Sequence, residues 1–235
     1  MSNSNFKSAF TLIELSIVLV IIGLVIGGIT TGSSLIKQAQ MKAVVNEINM
    51  FKTAINTFQI QFNSLPGDMN NATAFWYNAT TCPGTTGTAG SCNGNNNGLI
   101  EVTGHTTSDE GVRAWQHLTL AEVLPGSYTG IRNSGWNQVA GVNVPSSKFP
   151  NAIYYFLSSL YNGTTGNSII FTPQNGLLTP RESYDLDIKM DDGRPLTGKI
   201  LVEWTGGLGS CGYNVTNSYN INLTNPLCHS QFVLD

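Results

Sequence analysis

The sequence predicts an α+β chain: a long N-terminal helix whose outer half packs on an antiparallel sheet, followed by a loop-rich head stapled by disulfides. Three observations carry this. An apolar run from Phe10 to Ile29 is followed by an amphipathic stripe that ends at Phe62. Strand-like segments gather in the last third of the chain. Four cysteines fall into two local pairs, Cys82 with Cys92 and Cys211 with Cys228.

The apolar run comes first. Between Phe10 and Ile29 only Glu14 is charged, and about twenty apolar residues suffice for a helix to cross a bilayer. A carboxylate inside such a segment costs roughly 2.5–3.5 kcal/mol even on the gentlest insertion scales. A charge kept there needs a partner. A cut between Ala9 and Phe10 would create one, because the new amine of Phe10 on a neighbouring molecule can face Glu14. Lys7, just ahead of the run, orients the N-terminus toward the cytoplasm and places the head beyond the inner membrane. An uncut single-pass anchor is the alternative; it explains the run but not Glu14. An ordinary secretory signal is cut after its apolar segment, and no clean small-x-small site follows this one.

The residues Ala9-Phe10-Thr11-Leu12-Ile13-Glu14 resemble the prepilin cleavage and methylation signature of type IV pilins and type II secretion pseudopilins. With the apolar run, the likeness covers roughly the first fifth of the chain. It implies that residues 1–9 are a leader removed by a prepilin peptidase and that Phe10 becomes an N-methylated N-terminus. It further implies that Glu14, fifth in the mature chain, guides sister subunits into a helical filament. Partners implied by the resemblance are that peptidase, an assembly ATPase with its membrane platform, and the inner membrane. The family usually has glycine before the cut; here the small residue is Ala9. The expected divisions are a leader over 1–9, a transmembrane and assembly helix over 10–30, its amphipathic continuation over 31–64, and a pilin-like head over 65–235.

The continuation is read from spacing. Val44, Ile48, Phe51, Ile55, Phe58 and Phe62 recur every three or four residues and form one apolar helix face that packs as core. From Phe10 to Phe62 a continuous helix would run roughly 80 Å. Leu65-Pro66-Gly67-Asp68 ends it, because the residue before proline resists helix and Pro-Gly is turn chemistry. A short helix is expected at Ala72–Trp76 and a second amphipathic one at Gly111–Leu124, closed by Pro125-Gly126. A third is expected at Asn151–Tyr161. Strands are expected at Ser168–Thr172, Tyr184–Met190 and Lys199–Trp204, the last two joined as a hairpin through Asp191-Asp192-Gly193-Arg194-Pro195. From Gly206 the chain reads as loop. Leu65-Pro66-Gly67-Asp68, Trp115-Gln116-His117-Leu118 and Asp191-Asp192-Gly193 also resemble features of a bacterial subset of pilin-like proteins.

Composition narrows the function classes. Of 235 residues only 11% are charged, and Gly, Asn, Thr and Ser abound. Without residues 1–9 the chain has ten basic against fourteen acidic residues, net −4. This is an exported, neutral-polar surface with no basic stripe for nucleic acid. In an oxidising compartment the four cysteines read as disulfides. Of three possible pairings, Cys82–Cys92 with Cys211–Cys228 is favoured, because both close short Gly/Asn-rich loops. Zinc is the rival, but neither pair has a zinc knuckle's tight spacing.

Two metal readings arise. Asn93-Gly94-Asn95-Asn96-Asn97-Gly98-Leu99-Ile100-Glu101 resembles the first nine positions of a calcium loop, with oxygen donors at Asn93, Asn95 and Asn97. Asparagines replace the usual aspartates and Gly104 stands where a bidentate glutamate belongs. Glu101, Asp109 or Glu110 would have to supply charge, so any calcium site is a weak one; a polar loop beside a disulfide is the plainer reading. Asp185, Asp187, Asp191 and Asp192 form a second acidic group, read more simply as the solvated face of an edge hairpin.

No cofactor beyond that calcium is expected. Gly207-Leu208-Gly209-Ser210-Cys211-Gly212 spells a dinucleotide fingerprint, but no helix follows it. His105, His117 and His229 neighbour no nucleophile motif. Tyr128 and Trp136 are candidate ligand-facing aromatics that read better as core. The expectation is a structural filament subunit of a pilus or secretion pseudopilus, without enzymatic activity. A membrane-tethered extracytoplasmic protein that binds a glycan or other ligand is the rival from another class.

Overall fold

The computed structural model describes residues 11–76, 92–102, 109–132, 138–173, 178–202, 211–213, 216–226 and 228–234. By internal contacts the chain divides into two units, residues 1–42 and 43–235.

A single helix, α1 (Leu12–Phe62), opens the described chain. It stops where expected. Asn63 adopts φ 51°, and its N–H donates to the Gln59 carbonyl at 2.8 Å, the left-handed residue that closes a helix. The turn that follows needs its glycine. Gly67 has φ 85°, and a Cβ there would lie 2.4 Å from the Glu110 carbonyl oxygen. Gly94 packs as tightly from the other side, where a Cβ would lie 2.3 Å from the Gly67 carbonyl.

In residues 43–235 the stripe from Val44 to Phe58 is core, as its spacing predicts: Val44, Ile48, Phe51, Ile55 and Phe58 are all buried. Phe51 anchors it through edge-on contacts to Trp115 and Tyr154, each with ring centroids 4.9 Å apart. Trp115 lies on α3 (Glu110–Leu120) and meets Phe156 at 4.5 Å. The short helix α2 (Ala72–Trp76) forms where expected. The second amphipathic helix ends at Leu120, earlier than Pro125-Gly126 alone suggested; Ala121 caps it and Glu122 turns left-handed at φ 59°.

The sheet has four strands in the order β1-β2-β6-β3, every neighbour antiparallel. They are β1 (Ala152–Ser159), β2 (Thr165–Pro173), β3 (Ile200–Val202) and β6 (Ser230–Val233), with β4 (Gly212–Tyr213) and β5 (Ser218–Tyr219) forming a separate two-stranded ribbon. Tyr154 pairs with Phe171, Phe156 with Ile169, Ile169 with Phe232 and Phe232 with Ile200. Alternate residues of a strand share a face, so these side chains form one apolar surface, the one Phe51 and Trp115 meet. On the other face Gln231 donates to the Ser159 carbonyl and to Ser168 Oγ, and accepts from the Tyr161 N–H.

Three expectations are corrected. Asn151–Tyr161 is strand β1, not a helix: Ile153, Tyr154, Tyr155 and Phe156 are aromatic or β-branched, and tertiary pairing with β2 decides the outcome. Tyr184–Met190 is not a strand but most of helix α4 (Pro180–Met190). The decisive signal lies just upstream. Thr179 accepts from Glu182 N–H while Glu182 Oε2 accepts from Thr179 N–H and Oγ1–H at 2.7 Å each, with Pro180 in the first turn. That is a capping box. Residues 191–195 accordingly join a helix to β3 and are no hairpin. Finally, the loop read from Gly206 onward contains β6, a central strand of the sheet. The strand expected at Ser168–Thr172 lies within β2, and Lys199–Trp204 contains β3, its last two residues lying outside the described chain.

Candidate functional site

The N-terminal end of α1 is built around two side chains. Thr11 caps the helix. Its N–H and Oγ1–H both donate to Glu14 Oε2, at 2.8 and 2.7 Å, and the Glu14 N–H donates back to Thr11 Oγ1 at 3.3 Å. This second capping box satisfies donors that a helix N-terminus otherwise leaves bare. Beyond it the surface is apolar. Every large apolar side chain from Leu12 to Ile29 is exposed, from 48% at Ile22 to 89% at Leu12. Ser16 Oγ and Thr31 Oγ1 are turned inward to the helix, donating to the Ile13 and Gly27 carbonyls. Nothing lies within 4 Å of a Cβ built on Gly23, Gly27, Gly28 or Gly32. By length and composition the helix is able to cross a membrane. Ala9 and Phe10, the expected cleavage junction, lie outside the described residues.

In the head, the asparagine loop directs its side-chain oxygens to nearby hydrogen-bond donors. Asn93 Oδ1 accepts from Thr73 N–H and Oγ1–H, Asn95 Oδ1 from the Asn97 N–H, and Asn97 Oδ1 from the Leu99 N–H. Asn95 Nδ2 donates to Glu101 Oε2 at 2.6 Å. Two further carboxylates hold the loop's backbone. Asp68 accepts from the N–H groups of Asn97 and Gly98, at 3.0 and 2.8 Å. Glu110 accepts from those of Asn95 and Glu101, and its burial raises its carboxyl above the ordinary range. Asp68 was not among the residues singled out from sequence. Its signal is the aspartate that completes Leu65-Pro66-Gly67-Asp68.

His117 ties the same region together. Its Nδ1 accepts from the Gly67 N–H at 2.9 Å, which leaves Nε2 to donate to the Cys92 carbonyl at 3.0 Å. Wholly buried, it is pushed down to a pKa of about 4 and stays neutral. It is a structural tie between three segments. Asp109, which caps α3, pairs with buried Arg132 at 3.0 Å.

The acidic group divides. Asp185 is half-buried and pairs with Arg181 one helical turn away at 3.1 Å. Asp187, Asp191 and Asp192 bring their oxygens within 4.8 Å of one another. Asp187 is buried and accepts from Tyr219 Oη at 2.6 Å and the Gly193 N–H at 2.9 Å. Asp191 accepts from the N–H groups of Lys199 and Ile200, Asp192 from the Arg194 N–H and Thr197 Oγ1–H. These bonds shape the turn between α4 and β3. Of the cysteines, Cys211 and Cys228 are disulfide-bonded with Cα atoms 5.2 Å apart, as expected. Cys92 is buried and disulfide-bonded, and Cys82 lies outside the described residues. Tyr128 is half-buried against Trp115, and Trp136 lies outside the described residues.

Against known families, the model of the prokaryotic N-terminal methylation motif matches residues 4–30. The chain carries the type IV pilin and pseudopilin signature. No curated protein and no solved structure matches the chain. The pilin signature spans the junction Ala9–Phe10, the Thr11–Glu14 capping box and the apolar run, and so coincides with the exposed end of α1. Signature and apolar helix together fit anchoring in the inner membrane. The signature implies a structural subunit that is processed by a prepilin peptidase and assembles with other pilin subunits.

Proposed function

We propose that this chain is a filament subunit of a type IV pilus or of a type II secretion pseudopilus, stored in the inner membrane with its head in the periplasm. The prepilin peptidase cuts before Phe10. An assembly ATPase, acting through its membrane platform, then moves the subunit into the filament, where Glu14 meets the N-terminal amine of a neighbour. The observation that carries this reading is Glu14 itself, a lone carboxylate on an otherwise apolar, exposed helix face inside the methylation motif. An isolated charge there is retained for an intermolecular partner. The work done is structural, with packing of apolar helices as its driving force.

The deciding experiment is mass spectrometry of the N-terminus of protein from its native host. The expected mature chain begins at N-methyl-Phe10. A chain beginning at residue 1 or 2 would overturn the filament reading in favour of a tethered, ligand-binding head.

A further inference from the structure

We propose that the head carries a binding pocket for an N-acetylated amino sugar, lined on one side by α1. It concerns the head alone and goes beyond the filament reading. Lys52, Asn56 and Gln59 stand three or four residues apart on α1 and so share a face. Together with Gly98, Asn167 and three apolar side chains they line a pocket of about 310 Å³, at the small end of the range for small-molecule sites. Among the described residues the side-chain amides of Asn56 and Gln59 make no hydrogen bond. The remaining polar lining is already fixed. Asn167 Oδ1 accepts from the Ile100 N–H at 2.7 Å, and its Nδ2 donates to the Gly98 carbonyl at 2.9 Å. The Gly98 N–H donates to Asp68 at 2.8 Å, and the Leu234 N–H to the Asn167 carbonyl at 2.8 Å. Segments far apart in sequence are thus locked around two uncommitted carboxamides, and a preformed site loses little ordering entropy on binding.

The lining selects the ligand. A carboxamide offers an acceptor oxygen and two donors in one plane. It complements another amide, donating to that group's carbonyl and accepting from its N–H. An acetamido group presents both, and its methyl finds apolar contact on Ile55, Leu65 and Leu234. Ring hydroxyls, donors and acceptors at once, suit the second carboxamide and the ammonium of Lys52. That ammonium has three donors, enough for a ligand oxygen beside its existing contact. None of the described lining residues is a carboxylate, so a cationic ligand finds no counter-charge there. Such sugars come from two sources, the cell wall that surrounds a periplasmic head and glycans outside it.

The test is calorimetric titration of the full chain, solubilised in a detergent without a sugar headgroup. The probes are N,N′-diacetylchitobiose; cellobiose, the same disaccharide with hydroxyls in place of the acetamido groups; and N-acetylglycinamide, which has the amide without the ring. Expected is binding of diacetylchitobiose at about 0.1–1 mM, with each of the other two at least about tenfold weaker. Asn56→Ala and Gln59→Ala should each weaken the disaccharide by about fivefold or more and leave the thermal midpoint in place. Asn49→Ala, exposed on the same helix outside the pocket, should bind like the parent. The disaccharide released from peptidoglycan separates the sources: binding at least as tight as diacetylchitobiose assigns the pocket to the cell wall, weaker binding to a glycan outside it. Equal affinity for cellobiose or for N-acetylglycinamide would overturn the proposal, the latter in favour of a peptide. So would the absence of heat from diacetylchitobiose at about 10 mM, or unchanged binding in both alanine variants. Should either alanine variant unfold, Gln59→Glu, which keeps the shape and removes both donors, becomes the arm that must bind at least about fivefold more weakly.

Discussion

Tyr154 Oη donates a 2.6 Å hydrogen bond to Glu47 Oε2, joining strand β1 to helix α1 across more than a hundred residues of sequence. The same carboxylate accepts from Ser147 Oγ at 2.6 Å and from the Lys148 N–H at 2.9 Å. Burial, reinforced by the bond to Glu47, raises the Tyr154 phenol far above its ordinary range, so it stays a donor. Glu47 thus has three donors around one buried charge, which is the condition under which a buried carboxylate is tolerated.

Removing either partner is unequal. Tyr154→Phe leaves Glu47 two donors and is expected to cost about 1–2 kcal/mol. Glu47→Ala leaves the Tyr154 and Ser147 hydroxyls only each other, 3.1 Å apart, strands the Lys148 N–H, and is expected to cost about 2–4 kcal/mol. Thermal unfolding of the head checks the order; equal losses would show that Glu47 is not the centre of the network.

Asp187 sets a pH dependence with a definite sign. Burial, outweighing the bonds from Tyr219 and Gly193, raises its pKa from 3.8 to about 6. Between those values the folded head binds a proton that the unfolded chain releases, so this group's contribution to stability falls as pH rises through about 4 to 6. Asp187→Asn should erase that slope and raise the neutral-pH midpoint by a few degrees. A midpoint that drops at pH 7 would show that the charged form is wanted after all.

His117 works in the opposite direction. Its pKa is lowered from 6.5 to about 4, so protons favour the unfolded chain and stability falls as pH drops through that window. In the parent protein the two groups oppose each other between about pH 4 and 6. His117→Phe keeps a ring against Phe58, 6.0 Å away between centroids, but strands the Gly67 N–H and the Cys92 carbonyl. Expected are a loss of about 2–4 kcal/mol and an unmasked rise in stability on acidification, read from melts at stepped pH.

The Asn93–Glu101 loop is expected to hold its shape without calcium, because Asp68 and Glu110 already serve its N–H groups. Asp68→Ala should lower the midpoint by several degrees, whereas calcium at about millimolar concentration should barely move it. Calorimetric binding at that concentration, with a rise in midpoint, would reverse the expectation and make Asn93, Asn95, Asn97 and Glu101 ligands.

Where the sequence was legible, local rules and tertiary packing agreed. The stripe from Val44 to Phe58 has one period and one buried face, and the helix closes at left-handed Asn63, just ahead of the Leu65-Pro66-Gly67 turn that marks its end in the sequence. Where it misled, two signals competed. Tyr184, Leu186 and Ile188 alternate like a strand, yet in α4 the buried positions are Pro180, Ser183, Leu186 and Asp187, spaced like a helix. The capping box at Thr179 and Glu182 outranked the alternation. The segment around Ile153–Phe156 is apolar on both faces, so periodicity could not separate a buried strand from a helix. At the N-terminal site Glu14 was conspicuous because charge is rare there. Thr11 was not, since a hydroxyl gains meaning only when its partner three residues on is seen to close the box.

The place of β6 has a consequence for how the head comes into being. Among the described residues strand β3 pairs with β6 alone, and the inner edge of β2 also waits for β6. In chain order β1 and β2 are complete first and can zip together locally, but their partner strand follows some sixty residues later. Until residues 230–233 join the sheet, the edges of β2 and β3 that β6 covers are unsatisfied, each a template for another unfinished copy. A head of this topology must therefore be kept apart from other copies until its last strand is in place, although the signature it carries implies assembly with other pilin subunits afterwards.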